Sequence, residues 1–203
     1  MSLLDLAPVI PVVVVDDVET AVPMARALVA GGLPAIEVTL RTAGALEAIA
    51  RIAAEVPGAV VGAGTVRTAA DVAAAVESGA RFLVSPGTTP TLLDALQAAG
   101  VPFLPGAATA SEVMALAERG LEELKFFPAE AAGGLPYLKS LAGPLPGVRF
   151  CPTGGIRPDT ARDYLALPNV GCVGGTWLTP ADALASGDWA RVEKLAAEAA
   201  ALR

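Results

Sequence analysis

Histidine is missing altogether from this 203-residue sequence. Its absence excludes a Ser-His-Asp triad, a Cys-His pair and any His-ligated zinc site. Acid–base chemistry must then fall to carboxylates, lysine, tyrosine, cysteine or water. Cysteine is nearly missing too. Cys151 and Cys172 are the only two, each inside an apolar strand-like run where a thiol packs as a small hydrophobe. Aromatic residues make up 4% of a chain that is 54% hydrophobic, so Ala, Val and Leu carry the apolar content. No apolar run approaches the roughly 18 residues of a membrane span; the run at 9–15 is short and holds Pro11. The first residues lack the basic flank and small-residue cleavage site of a signal peptide, so the expected location is cytoplasmic. Positive charge is also scarce. A net charge of −7 argues against nucleic acid or an anionic membrane as partner, yet leaves room for an anionic small molecule at a locally favourable site.

What is abundant is alternation. Short apolar or β-branched runs at 9–15, 35–40, 60–63, 82–85, 103–105, 123–127, 149–151 and 171–174 read as strands. Between and after them, stretches of helical period fall at 18–30, 43–55, 69–78, 91–99, 111–119, 137–141, 160–167 and 189–201. Gly79, Gly100 and Gly120 each follow a helix and precede a strand, as left-handed C-terminal caps do. Eight strand–helix units of about 25 residues fit one compact (β/α)8 TIM barrel, with an open doubly wound sheet as the lesser option. No linker, low-complexity segment or charge run divides the chain, so residues 1–203 are expected to form a single domain.

Strand parity then picks out the polar residues. In the second strand Glu37, Thr39 and Arg41 share one face, while Ile36, Val38 and Leu40 share the other. The apolar set belongs under the helices, which sends Glu37 and Arg41 inward. In the sixth strand Leu124 and Phe126 oppose Glu123, Lys125 and Phe127. Strands two and six face each other in an eight-stranded ring, so a carboxylate and an amine meet across the lumen. Of the three lysines, Lys139 and Lys194 fall in helical, solvated positions. Lys125 is therefore the candidate nucleophile, because burial favours the neutral amine that attacks carbonyls. From the strand pattern alone, a buried structural pair between Lys125 and Glu37 is the competing reading.

Glycine-rich turns bear on that choice. Thr153-Gly154-Gly155 follows the seventh strand and Gly174-Gly175-Thr176 the eighth, where barrel enzymes bind phosphate through backbone N–H groups. Gly62-Ala63-Gly64-Thr65 and Ser85-Pro86-Gly87 end strands three and four on the same side. Each turn alone could be only a tight connection.

With Glu37-Val38-Thr39-Leu40-Arg41-Thr42 and Lys125-Phe126-Phe127-Pro128, these segments resemble the 2-keto-3-deoxy-6-phosphogluconate and 4-hydroxy-2-oxoglutarate aldolases, from about residue 9 onward. The resemblance implies a class I aldolase with Lys125 as the Schiff-base lysine and Glu37 as the general acid/base. It implies that Arg41 binds the substrate carboxylate, that Thr65 contacts substrate, and that Pro86 and Phe127 shape the pyruvyl pocket. It places the phosphate at Gly154, Gly155, Gly175 and Thr176. It further implies a phosphorylated 2-keto acid as substrate, no metal or organic cofactor, and a homotrimer. Two features depart from the family pattern: Thr176 stands where serine is usual, and the segment before Val9 is shorter. The alternatives carried forward are a phosphosugar isomerase on the same barrel, and a non-catalytic oligomeric scaffold.

Overall fold

Runs of Val, Ile and Leu bounded by Gly and Pro form short parallel strands, and the Ala-rich segments between them form the helices that cover these strands. In the computed structural model, which describes residues 2–202, the strands are β1 (Val9–Val13), β2 (Ala35–Thr39), β3 (Val60–Gly64), β4 (Leu83–Val84), β5 (Phe103–Leu104), β6 (Gly106–Ala107), β7 (Glu123–Phe126), β8 (Arg149–Pro152) and β9 (Val173–Gly175). The helices are α1 (Ala21–Ala30), α2 (Ala45–Glu55), α3 (Ala69–Glu77), α4 (Pro90–Ala98), α5 (Ala110–Ala117), α6 (Gly134–Leu141), α7 (Pro158–Leu165), α8 (Ala181–Ser186) and α9 (Trp189–Ala200). The result is an α/β fold on curled parallel sheet.

The strand ladders do not run as the expected ring of eight continuous strands. Hydrogen-bonded ladders form a six-stranded sheet in the order β5-β4-β3-β2-β1-β9 and a three-stranded sheet β6-β7-β8. The break at 103–107 has a local cause. The run read as one strand at 103–105 continues past Pro105, which has no N–H to give a ladder, and is split there into β5 and β6. Pro105 still accepts from Lys125 N at 3.0 Å, so the two sheets touch at this seam. At the other seam, single parallel bridges join Thr153 to Gly174 and Phe150 to Val170.

Smaller departures are equally local. The first strand stops at Val13 rather than residue 15, and the first helix opens as a 3-10 turn, Val18–Thr20, before α1. Helix α8 was not anticipated; six residues are too few to show a period. The caps are as expected. Gly79, Gly100 and Gly120 have φ of 90°, 71° and 79°. Thr68–Asp71 and Thr109–Glu112 form reciprocal capping boxes at the starts of α3 and α5.

Strand parity divides the apolar side chains into two cores. The outward residues, among them Val9, Ile36, Val38, Val61, Leu124, Phe126 and Phe150, pack under the helices. The inward residues Ile10, Ala35, Phe82, Val84, Leu104, Cys151 and Cys172 form a separate inner cluster with Leu3 and Leu4. Residues 3 and 4 thus cover this end of the inner cluster. A 3-10 turn, Leu3–Asp5, inserts two leucines, capped by the Ser2 side chain accepting from Leu4 N. Gly171 makes space for it, since an added Cβ there would lie 2.5 Å from Leu4 Cβ. Around the rim, Ser2 Oγ donates to Glu123, and Arg149 donates to Asp5 at 2.6 Å.

Candidate active site

The opposite ends of the strands carry the polar groups. In β2, Ile36 and Val38 enter the outer core, so Glu37 and Thr39 point inward. In β7, Leu124 and Phe126 do the same and Lys125 points inward. The two side chains meet: Lys125 Nζ donates to Glu37 Oε1 at 3.0 Å. Lys125 is 5% exposed and Glu37 3%, so each charge has its partner in a site largely closed to water. The Phe127 ring lies 5.3 Å from Nζ and forms an apolar wall beside it. Glu37 occupies the space left by the missing side chain of Gly64, where an added Cβ would sit 2.2 Å from Oε1. Thr39 is buried and spends its hydroxyl on Val13 O at 3.0 Å, which fits a structural role.

Arg41 lies just beyond β2, exposed, and its Nε donates to Thr65 Oγ1 at 3.3 Å. Thr65 has φ 59°, and it is the one non-glycine residue with positive φ among those described. A β-branched residue in the left-handed region is strained, and such strain concentrates at working sites. Pro86 is half-buried and its carbonyl carbon packs against Gly106, where an added Cβ would lie 2.4 Å away. Ser85 has no signal in the sequence beyond its place in the Ser85-Pro86-Gly87 turn. It is fully buried, and its Oγ accepts from Gly106 N at 3.1 Å, which holds the Pro86 turn in place.

Gly154 and Gly155 have φ of 104° and 82°, conformations that glycine alone adopts at little cost. Gly175 is buried against Trp177, where an added Cβ would lie 2.4 Å from the ring. Thr176 is exposed and lines a groove of about 440 Å³ with Val14, Asp16, Asp17 and Thr179. No lysine or arginine lines that groove. The neutral donors along it are the hydroxyls of Thr20, Thr176 and Thr179.

Comparison with known proteins shows the family of the chain. The family described as KDPG and KHG aldolase matches residues 1–195. The chain belongs to that family. The KHG/KDPG aldolase of Escherichia coli K12 is 56% identical over 198 residues, covering 98% of this chain and 93% of the relative. A crystal structure of the aldolase of Zymomonas mobilis ZM4 with 3-phosphoglycerate is 52% identical, with a TM-score of 0.93 over 98% of this chain and 94% of that one. The aldolase of Legionella pneumophila, with pyruvate captured at low pH as a covalent carbinolamine intermediate, is 44% identical. Its TM-score is 0.95, over 98% of this chain and 96% of that one.

Within this aldolase, Lys125 and Glu37 stand in direct contact, Arg41 with Thr65 forms a second polar station, and Gly154 and Gly155 lie on the loop after β8. The loop after β7 ties the lysine strand to that glycine turn. Ala129 N donates to Thr153 O at 2.8 Å, and Glu130 N to Gly154 O at 3.1 Å. Glu130 had no signal in the sequence beyond its place after Pro128, because its partner Tyr164 comes from α7.

Proposed function

We propose that residues 1–203 form one closed (β/α)8 barrel acting as a class I aldolase on 2-keto-3-deoxy-6-phosphogluconate, giving pyruvate and glyceraldehyde 3-phosphate. Cleavage of 4-hydroxy-2-oxoglutarate to pyruvate and glyoxylate is the secondary activity. The observation that carries this reading is the buried Lys125–Glu37 contact of 3.0 Å in a chain with no histidine. Two neighbours support the two ends of the substrate: one Legionella relative holds pyruvate covalently, and one Zymomonas relative holds a phosphorylated acid. Contact at both seams between the ladders supports closure of the barrel.

The chemistry follows from the contact. One proton passing from Nζ to Glu37 leaves a neutral amine that adds to the C2 ketone. The carbinolamine loses water and becomes an iminium. Arg41 and Thr65 hold the C1 carboxylate, which fixes the ketone face presented to the amine. Glu37, again a carboxylate, takes the C4 hydroxyl proton, the C3–C4 bond breaks, and its electron pair moves into the iminium to give an enamine. The aldehyde leaves. Glu37 returns the proton to C3, and hydrolysis of the new iminium frees pyruvate and Lys125. Pro86 and Phe127 wall the pyruvyl group, while backbone N–H groups at Gly154, Gly155, Gly175 and Thr176 receive the distal phosphate. Holding that phosphate supplies remote binding energy for the reacting carbons. No metal or organic cofactor takes part, because the iminium is the electron sink.

The enzyme acts in the cytoplasm as a homotrimer. No helix among the described residues is long and apolar enough to cross a membrane. Light scattering should return three times the 20.3 kDa chain mass. The chemical test is trapping with pyruvate and borohydride followed by peptide mass mapping. An adduct of about 72 Da should appear on the peptide carrying Lys125 and vanish in Lys125→Met. An isomerase or a scaffold would give no adduct.

A further inference from the structure

The turn that carries Gly154 and Gly155 is not self-supporting, and what supports it lies outside the reacting groups. Gly154 packs on the loop after β7: an added Cβ would meet Pro128 Cα at 3.3 Å and Phe127 Cδ2 at 3.4 Å. Gly155 packs on the stem of Glu130, with Cγ at 2.6 Å and Cβ at 2.8 Å from such an atom. Two backbone hydrogen bonds, from Ala129 N to Thr153 O and from Glu130 N to Gly154 O, dock the two loops. What fixes Glu130 itself is Tyr164. This side chain is fully buried in α7, and its hydroxyl donates to Glu130 Oε1 at 2.6 Å. A buried phenol needs an acceptor, and a charged one makes a stronger bond.

We propose that Glu130 and Tyr164 are a positioning pair that sets the Gly154–Gly155 turn for the substrate's phosphate, touching neither the phosphate nor the reacting carbons. The inference rests on the aldolase reading above and deepens it. Burial, then the bond to Glu130, raises the Tyr164 phenol well above its ordinary range. The donor therefore stays protonated wherever the enzyme works. Glu130 is only five residues past Lys125, so the pair also links the nucleophile's strand to the anion end of the site. That link predicts an effect on discrimination between substrates, with the covalent chemistry preserved.

The test compares the full chain with Tyr164→Phe, Glu130→Ala and Glu130→Gln. It reads kcat and KM on 2-keto-3-deoxy-6-phosphogluconate and on unphosphorylated 4-hydroxy-2-oxoglutarate, together with the pyruvate–borohydride adduct. Tyr164→Phe and Glu130→Ala should each lower the phosphorylated-to-unphosphorylated ratio of kcat/KM about fivefold or more, through KM. Adduct yield and turnover of the unphosphorylated substrate should stay within about twofold. Glu130→Gln keeps an oxygen acceptor for the phenol and should hold the parental ratio. A ratio unchanged in both disrupting variants overturns the proposal, as does equal slowing on both substrates. A parent chain that forms the adduct but shows no preference for phosphate also overturns it. A parent without the adduct defeats the aldolase reading instead.

Discussion

The two ends of the strands are built on opposite principles. At the N-terminal end, Leu3 and Leu4 fill the inner core among Ile10, Phe82, Cys151 and Cys172, and charge is confined to an exposed rim around Arg149. At the C-terminal end a charged pair is itself buried, Thr65 is held at positive φ, and the loops are fastened by polar caps and glycine turns. The first arrangement lowers free energy by taking apolar surface out of water. The second accepts desolvated charge and backbone strain, as the proposed site requires. Stability should therefore respond to mutations at the floor, and turnover to mutations at the mouth.

The largest effect should come from the mouth. Lys125→Met should lower kcat by about 10,000-fold or more and abolish the borohydride adduct. The variant should also unfold more easily by about 3 kcal/mol, because Glu37 is left buried without its partner. Full activity in this variant would erase the contrast. The floor comes next. Leu4 is fully buried, so Leu4→Ala should cost about 2–5 kcal/mol in urea unfolding. Its kcat at low temperature should stay within about twofold of the parent; a large kcat loss would mean that the floor communicates with the site.

Gly64→Ala sharpens the comparison. The added methyl collides with Glu37 Oε1, and shifting that carboxylate should cost about 100-fold in kcat. Steady-state kinetics with circular dichroism separates this from unfolding.

The smallest effect concerns a polar cap. Hydrogen bonding from Ala108 N–H is the largest cause holding the Glu112 carboxyl below its ordinary value; the Thr109 hydroxyl and N–H add to it against some desolvation. A lowered folded value means that the stabilisation is present above the unfolded carboxyl pKa of about 4.3 and is lost as pH falls through the folded one. Glu112→Gln should cost less than about 1 kcal/mol at neutral pH, because the group is solvated. The gap from the parent should close in acid, as thermal melts across pH would show.

The positions legible in the sequence are those that strand parity controls. Once Ile36 and Val38 are assigned to the helix side, Glu37 must face in, and the same logic places Lys125. The helix caps at Gly79, Gly100 and Gly120 were legible because glycine at positive φ has one cause at a helix end. What escaped depends on contacts between distant segments. The split at Pro105 was hidden in a run that reads as one strand, and the floor in a segment too short to show a helical period. Tyr164 reads as an ordinary helix-core aromatic until α7 is laid against the loop after β7. The strain at Thr65 is a property of backbone angles, which residue type does not reveal.

The floor also bears on translation. Leu4 packs against Gly171, so a contact in the inner core joins residues near opposite ends of the sequence. During synthesis Leu3 and Leu4 must stay without all their final partners until Gly171 and Cys172 have left the ribosome. A chain stalled before Gly171 would carry two leucines without part of their inner-core packing.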